Sequence, residues 1–237
     1  MGKPAPTKNF ENRILAALPP EEYARLKGSF QVLALRRKTV LNEPGQPLMN
    51  TVYFPRTAVA SMVTTMENGS TLEIATVGNE GVVGLPVLLG TETMRTAVVI
   101  QIDGEAVALP ASVVREAAEG GKSFGRVLQR YTQALLAQIA QSAACNQLHS
   151  IDRRCARWLL MSHDRVPGDE LPLTQEFLAQ MLGVRRATVT TAESILQRAG
   201  FIRYRRGRVQ IVDREGLEGA SCECYRVIRA EYERLIG

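Results

Sequence analysis

Two consecutive arginines, Arg185 and Arg186, follow shortly after Gly183 in the stretch LAQMLGVRRATVTTAESIL, residues 178–196. A guanidinium group can donate two parallel hydrogen bonds to O6 and N7 of guanine, and it can also pair with a phosphate. If a helix begins here, its dipole favours anions at this end, so the arginines gain nothing electrostatically from their own helix. Their position indicates contact with an external anion such as a nucleic-acid backbone. Two solvated surface arginines are the alternative for the pair considered alone.

The charge of the surrounding segment favours the first interpretation. Residues 185–208 contain seven arginines and a single acidic residue, Glu193, and therefore carry a net charge of +6. The whole chain carries +5, which leaves the remainder at −1. A solvated run of charges normally mixes both signs, whereas a surface that neutralises phosphates is uniformly basic.

The elements around the arginines are predicted to be a helix-turn-helix. Thr174 is a suitable N-cap for the first helix, and Gly183 can adopt the positive φ that ends it. The second helix, 185–199, would enter the major groove with its first residues against the bases. Apolar residues recur with helical spacing on both sides of the turn: Leu178, Ala179, Leu182, Val189, Ala192, Ile195 and Leu196.

A two-stranded wing is predicted directly after the second helix. Strands over Phe201–Tyr204 and Arg208–Val212 flank a turn at Arg206 and Gly207. Arg205 and Arg206 would lie at the tip of this wing, where they can meet phosphates whatever the base sequence.

Catalytic motifs are missing from the chain. It contains no P-loop, no dinucleotide-binding loop, no nucleophile elbow and no acid pair in a suitable context, so we do not expect an enzyme. Cys222 and Cys224 could ligate a metal, but neither a second cysteine pair nor a nearby histidine completes a tetrahedral set in the sequence. We interpret them as ordinary buried cysteines on a C-terminal helix and expect no metal site. Four unevenly placed cysteines also agree with a reducing compartment.

Length and composition are those of a globular protein. A chain of 237 residues with 45% hydrophobic and 22% charged residues is long enough for two domains. It has no run of eighteen apolar residues, and its start, MGKPAPTKNF, has no apolar signal-peptide region. We therefore expect no membrane span, no membrane partner and a cytoplasmic location.

The N-terminal half is predicted to form a β sandwich or barrel after a helix at Asn12–Leu26. Asn68 and Gly69 would supply the positive φ values of a tight hairpin turn. The glycines of VGNEGVVG, residues 77–84, are expected at turns and close backbone approaches. Six segments rich in β-branched residues are bounded by Gly, Pro and Asn: Val32–Leu35, Thr51–Phe54, Val59–Met66, Thr71–Val77, Ala97–Ile102 and Ala106–Leu109.

From about residue 110 the pattern becomes helical, and one helix of some twenty residues or more carries an apolar stripe. The stripe could pack on its own domain, but we favour pairing with a second copy, because helix-turn-helix proteins commonly bind two half-sites as dimers. A further helix from Ser150 to Met161 should support the helix-turn-helix through one face, formed by Ile151, Cys155, Trp158 and Leu159. The stripe of the long helix consists of Phe124, Val127, Leu128, Tyr131, Leu135, Ile139 and Ser142.

This order of elements resembles the Crp/Fnr family of bacterial transcription regulators over nearly the whole chain. The most specific similarities are LTQEFLAQMLGVRRATVTTAESILQRAGFI and the phrase from Met94 to Ala97, which is similar to the family's phosphate-binding Arg-Ser/Thr-Ala. The resemblance implies an α+β fold in three parts. These are an N-terminal β-roll like a cyclic-nucleotide-binding jelly roll (residues 1–120), a long dimerisation helix (121–146) and a C-terminal winged helix-turn-helix (147–237).

The resemblance also implies roles for residues of the second helix. Arg186 matches the family's base-contacting arginine and Thr188 its phosphate-contacting threonine. Ala187 replaces a glutamate, Thr191 replaces a second arginine, and Arg185 stands where a capping serine is usual. DNA binding is therefore implied, but the half-site preference of better-known members is not.

An effector site is implied at Gly84, Arg95 and Thr96, where the resemblance places the phosphate and ribose contacts of a cyclic nucleotide. Members that bind cAMP have a glutamate after the glycine, whereas this chain has Leu85, and the nearby Glu80 would need a rearranged loop. A cyclic nucleotide is possible but disfavoured, and no cofactor is assigned. Since the N-terminus has no cysteine cluster, an iron–sulfur sensor is not expected.

Two classes of function follow from the sequence. The first is a homodimeric transcription regulator that binds palindromic double-stranded DNA and contacts RNA polymerase. The second is a sensory or scaffold module whose winged domain binds protein. The charge of residues 185–208 favours the first.

Overall fold

The structure is a computed structural model that describes residues 11–47, 50–119 and 123–237. The segment 1–10, where no signal sequence is predicted, and the predicted boundary between residues 120 and 121 lie outside these ranges. Within them, no helix is both long and apolar enough to cross a lipid bilayer. The helices are α1 (Arg13–Ala16), α2 (Pro20–Lys27), α3 (Leu85–Leu88), α4 (Ala111–Ala118), α5 (Ser123–Leu148), α6 (Ile151–His163), α7 (Gln175–Leu182), α8 (Arg186–Arg198), α9 (Arg214–Ala220) and α10 (Cys224–Ile236). The strands are β1 (Gln31–Leu35), β2 (Val40–Asn42), β3 (Thr51–Pro55), β4 (Val59–Thr65), β5 (Thr71–Val77), β6 (Ala97–Ile102), β7 (Gly104–Pro110), β8 (Glu170–Leu171), β9 (Ile202–Arg205) and β10 (Arg208–Ile211).

Two antiparallel sheets build the N-terminal domain, with strand orders β1-β7-β3 and β2-β6-β4-β5. Leu35 and Tyr53 from the first sheet share a buried core with Val77 and Ile100 from the second. The six predicted strands and the α+β class are confirmed. Strand β2 escaped prediction because three residues are too few to show a period of two.

The turn between β4 and β5 differs from the predicted one. Gly69 has a φ of 81°, but Asn68 does not adopt a positive φ. The backbone N–H of Gly69 donates to the carbonyl oxygen of Met66 at 2.9 Å. The backbone N–H of Met66 donates to the carbonyl oxygen of Ser70 at 2.8 Å. The connection is therefore a longer loop in which only the glycine takes the left-handed conformation.

The single N-terminal helix expected over Asn12–Leu26 is wrong. The structure has α1 and α2 instead, separated at Pro19 and Pro20. Proline has no N–H to continue a helix but suits the first position of a new one, which is where Pro20 lies.

Helix α5 confirms the predicted long helix, but the predicted stripe faces inward. Phe124, Leu128, Tyr131 and Leu135 are all buried within the chain itself. The hydroxyl of Tyr131 donates to the backbone oxygen of Val82 at 3.3 Å. This stripe therefore packs on the protein's own domain, which is the alternative to the favoured dimer contact.

From Arg154 to its end, helix α6 is buried on every side, rather than on one face, because it lies between the β domain and the helix-turn-helix. Trp158 Nε1 donates to Oε1 of Glu73 on β5 at 2.8 Å. In the other direction, Arg154 Nη2 donates to the backbone oxygen of Leu182, the last residue of α7, at 2.6 Å. Burial raises the pKa of the Glu73 carboxyl, although three side-chain hydrogen bonds oppose that shift.

A buried ion pair forms a second link between the β domain and the C-terminal domain. Nε and Nη2 of Arg165 donate to Oε1 of Glu80 at 3.0 and 2.8 Å. The carboxylate of Glu80 is thus held by Arg165, and Glu80 does not line the apolar cavity beside Gly84. A Cβ atom on Gly78 would lie 2.5 Å from Cδ of Arg165, and one on Gly81 would lie 2.7 Å from the ring of Tyr131, so the expected close backbone approaches are confirmed.

Candidate nucleic-acid interface

Helices α7 and α8 form the predicted helix-turn-helix. The hydroxyl of Thr174 accepts a hydrogen bond from the backbone N–H of Phe177 at 3.2 Å, as an N-cap should. Gly183 ends α7 with a φ of 65°, in the left-handed region that favours glycine. A Cβ atom there would also lie 2.8 Å from Cδ1 of Leu72 on β5. Both the backbone conformation and the close approach therefore favour glycine at this turn.

The start of α8 faces solvent. Arg185 is the N-cap residue, and Arg186 is the first residue of the helix. Arg185, Arg186 and Ala187 are exposed, and Thr188 is half-buried. Neither guanidinium pairs with another residue of the described chain. The opposite face of α8 packs into the core through Val189, Ala192 and Leu196.

Thr191 lies one helical turn after Ala187, so the two residues share a face of α8. Thr191 is exposed, and its hydroxyl donates to the backbone oxygen of Ala187 at 3.1 Å. Thr190 forms the equivalent bond to Arg186, also at 3.1 Å. The side chains near Arg186 are therefore short and uncharged. At positions 187 and 191 the resemblance to the Crp/Fnr family implies a glutamate and an arginine instead.

Glu193, the single acid of the basic segment, does not reach the surface. It is 1% exposed, and its Oε2 accepts a hydrogen bond from Nε2 of Gln175 on α7 at 2.7 Å. Burial raises the pKa of its carboxyl, against the opposing effect of the Gln175 hydrogen bond. Glu193 therefore holds α7 against α8, and the exposed charges of residues 185–208 are all positive.

The wing consists of β9 and β10, and the predicted turn between them is confirmed. Arg206 and Gly207 have φ values of 49° and 76°, which is the pattern of a two-residue hairpin turn with positive φ at both positions. Arg205 and Arg206 are exposed. Strand β8, which was not predicted, pairs with β10 and brings Glu170 into an ion pair with Arg208.

Of the three predicted effector residues, the structure places one at a cavity. Gly84, with a φ of 108°, lines an apolar cavity of about 80 Å³ that lies against β3 and α3. Arg95 is exposed and Thr96 is half-buried, and neither lines this cavity. Pockets for drug-sized ligands usually measure about 300–1,000 Å³, so the cavity is small for a nucleotide.

The interpretation of the cysteines needs correction, because the structure supplies the missing ligand types. Cys145 on α5 and His149, the residue directly after α5, meet Cys222 and Cys224, and the four potential ligand atoms all lie within 4.8 Å of one another. The CxC pair has no such ligands among its sequence neighbours, since these partners are more than seventy residues away. The i, i+4 spacing of Cys145 and His149 at the end of a predicted helix was the available signal.

Comparisons with known proteins agree with this architecture. A family model described as the Crp-like helix-turn-helix domain matches residues 153–220. A search of curated proteins finds no match. FixK2 from Bradyrhizobium japonicum is 18% identical, with a TM-score of 0.66 over 81% of this chain and 98% of that one.

Two further solved structures have the same fold. A Crp/Fnr-family transcriptional regulator from Thermus thermophilus is 21% identical, with a TM-score of 0.63 over 81% of this chain and 98% of that one. A c-di-GMP-responsive global regulator from Xanthomonas campestris is 17% identical, with a TM-score of 0.62 over 81% and 99%.

The fold and the exposed basic helix define a DNA-binding protein with a winged helix-turn-helix. Residues 153–220 form a Crp-like helix-turn-helix domain, attached to the β-roll and long helix shared with these regulators. The chain shares the overall fold of these Crp/Fnr-family transcription regulators, and the family model itself covers the helix-turn-helix domain.

Proposed function

We propose that the protein acts as a homodimer in the cytoplasm and recognises a palindromic DNA site through α8. The observation that carries this proposal is the pair of exposed, unpartnered guanidinium groups of Arg185 and Arg186 at the N-terminus of α8. In helix-turn-helix proteins, the N-terminal residues of the recognition helix contact base edges.

Each exposed residue of the interface then has a distinct task. Arg186 pairs with O6 and N7 of a guanine, and Ala187 offers its methyl group to a thymine. Arg185 contacts the backbone, as does Thr188, whose hydroxyl suits a phosphate oxygen. Thr191 follows Ala187 on the same face and contacts the next base or phosphate.

The wing arginines position the domain without contributing sequence information. Arg205 ends β9, Arg206 begins the turn, and both are exposed, so they would meet phosphates beside the groove that α8 occupies. A winged domain that binds protein is the second candidate. The burial of Glu193 argues against it, since a protein partner would normally be matched by charges of both signs.

The second copy would pack on the face of α5 opposite to the buried stripe. Leu136, 57% exposed, lies on this face together with the exposed Gln133, Ala140 and Ala143. Their spacing of three and four residues forms a continuous seam along the helix, and its small residues allow close approach of a twin helix. Two copies of α8 would then meet two half-sites, and RNA polymerase would contact the bound dimer.

We expect a selection on randomised half-sites to separate the residues that specify the sequence from those that only hold the backbone. Arg186→Ala should weaken the selected site by about 1–3 kcal/mol relative to random DNA, because the variant cannot form the bidentate pair with guanine. Ala187→Glu should move the preference at one base pair toward cytosine, whose N4 amino group can donate to a carboxylate.

A wing variant provides the matched control for that selection. Arg205→Gln combined with Arg206→Asn removes two charges, and asparagine tolerates the positive φ of residue 206. This variant should lose affinity for cognate and random DNA alike while selecting the same motif. An unchanged motif for Arg186→Ala would contradict the proposed docking of α8.

The effector is not expected to be a cyclic nucleotide. Leu85 cannot accept a hydrogen bond from a ribose hydroxyl, Glu80 is held by Arg165, and the cavity beside Gly84 is small. Calorimetry with cAMP and cGMP should therefore detect no binding in the micromolar range. Micromolar binding that disappears in Arg95→Ala would show that the loop does form a nucleotide site.

A further inference from the structure

Three cysteines and one histidine come together where the end of α5 meets the start of α10. Sγ of Cys145 lies 3.5 Å from Sγ of Cys222, and Sγ of Cys224 lies 3.5 Å from Nδ1 of His149. The three thiols are almost completely buried, at 2% exposure or less. The group is therefore a closed cluster of soft ligand atoms, separate from the DNA-binding surface.

The distances within the cluster suit a single tetrahedral ion. Zinc binds thiolate sulfur at about 2.3 Å and imidazole nitrogen at about 2.0–2.1 Å, so the edges of its coordination tetrahedron measure roughly 3.4–3.8 Å. Two of the observed separations are 3.5 Å, and no pair of ligand atoms exceeds 4.8 Å. An iron–sulfur cluster, which interposes several atoms between its protein ligands, would need a wider arrangement.

The residues around the cluster are arranged as outer partners of a metal site. Nε2 of His149 lies 3.3 Å from Oε1 of Glu223, which leaves Nδ1 directed at the thiols. Metal-bound histidines usually donate their second N–H to a carboxylate or a carbonyl, which fixes the tautomer. On the other side, Nε2 of Gln141 donates to Sγ of Cys224 at 3.1 Å.

The charges around the cluster are an independent indication of a bound ion. Arg154 and Arg157 are 8% and 5% exposed, and their Nε atoms have no hydrogen-bond partner in the described part of the chain. Arg157 also interacts with the buried carboxyl of Glu73, whereas Arg154 has no carboxylate within salt-bridge distance among the described residues. Buried arginines require nearby negative charge, and a divalent ion with three thiolates and one imidazole carries a net charge of −1.

We propose that Cys145, His149, Cys222 and Cys224 bind one divalent metal ion of the zinc type in a closed, structural site. Four protein ligands leave no open position for a substrate or a water molecule, so the site has no catalytic role. The ion would fasten the link between α9 and α10 to the last turns of α5. It would thereby join the C-terminal helix, α10, to the long helix, α5.

The test uses the full-length protein, purified under reducing conditions and without a histidine tag. Elemental analysis should give one zinc ion per chain. Protein refolded with Co²⁺ should show the intense visible absorption of tetrahedral cobalt and a sulfur-to-cobalt charge-transfer band. Protein that contains no metal and gives no tetrahedral cobalt spectrum would overturn the proposal, as would a disulfide between Cys145 and Cys222 in protein alkylated at lysis.

Variants distinguish metal ligation from general packing. Cys222→Ser should abolish the bound zinc, whereas Cys155→Ser, which removes an equally buried thiol outside the cluster, should retain one ion per chain. Glu223→Gln should still bind the metal, but about 10–100-fold more weakly in competition with a chelator. Equal metal content in Cys222→Ser and Cys155→Ser would contradict the proposed ligand set, and it can be measured even if both variants are less stable.

Discussion

The affinity of the protein for its DNA site should fall by about a thousandfold or more when the salt concentration rises from roughly 50 to 200 mM. That loss is typical of proteins that make about 6–10 phosphate contacts and release the condensed counterions. Each protomer offers the exposed cationic side chains of Arg185, Arg205 and Arg206, so the proposed dimer reaches this range. Since Glu193 is buried, no carboxylate of the segment offsets these charges.

A fluorescence-anisotropy titration at several salt concentrations measures the slope of log affinity against log salt. The wing variant, Arg205→Gln with Arg206→Asn, should reduce the slope by about one for each phosphate that the protein no longer neutralises. Arg226→Gln, which changes an exposed arginine on α10 outside the basic segment, is the matched control and should leave the slope unchanged. A nearly flat response of the wild type would favour the protein-binding alternative.

Replacing Arg165 by methionine should cost about 3–5 kcal/mol of unfolding free energy, the range for removing one partner of a buried ion pair. The side chains of Arg165 and Glu80 are only 7% and 6% exposed, so the carboxylate would remain buried without its cation. Nη1 of Arg165 also donates to the backbone oxygen of Met161 at 2.6 Å, and the variant cannot form this bond. Urea unfolding at pH 7 measures the change.

A second variant identifies the cause of that destabilisation. Arg165→Met combined with Glu80→Gln leaves no charge at the buried site, so it should be more stable than Arg165→Met alone. A double variant that is as unstable as Arg165→Met would indicate missing packing rather than an uncompensated charge.

An exposed ion pair serves as the control for this experiment. Arg229 and Glu233 are 52% and 56% exposed on α10, so Arg229→Met should change the unfolding free energy by less than about 1 kcal/mol. Equal effects of Arg165→Met and Arg229→Met would contradict the special role of the buried pair. That role is to join the β domain to the segment that follows α6.

The DNA-binding elements were predictable from the sequence alone. Thr174, Gly183 and the Arg206–Gly207 turn are signals whose physical cause lies within a few residues: a side chain that caps a helix, and backbone conformations that glycine permits. The exposure of Arg185 and Arg186 followed from the same helical periodicity. Such local features are encoded where they occur, so the helix-turn-helix and its wing required no knowledge of the rest of the fold.

Tertiary packing decides two other things. It determines which partner covers each apolar face and which residues distant in the sequence come into contact. Periodicity showed that α5 has an apolar stripe, but not that the stripe packs on the protein's own core. Periodicity also could not predict the ion pair of Glu80 with Arg165, or the cluster that Cys145 and His149 form with Cys222 and Cys224. These contacts join positions that are some seventy to eighty-five residues apart. Hydrophobic burial is non-directional, so a local pattern reports that a surface will be covered but does not identify the partner that covers it.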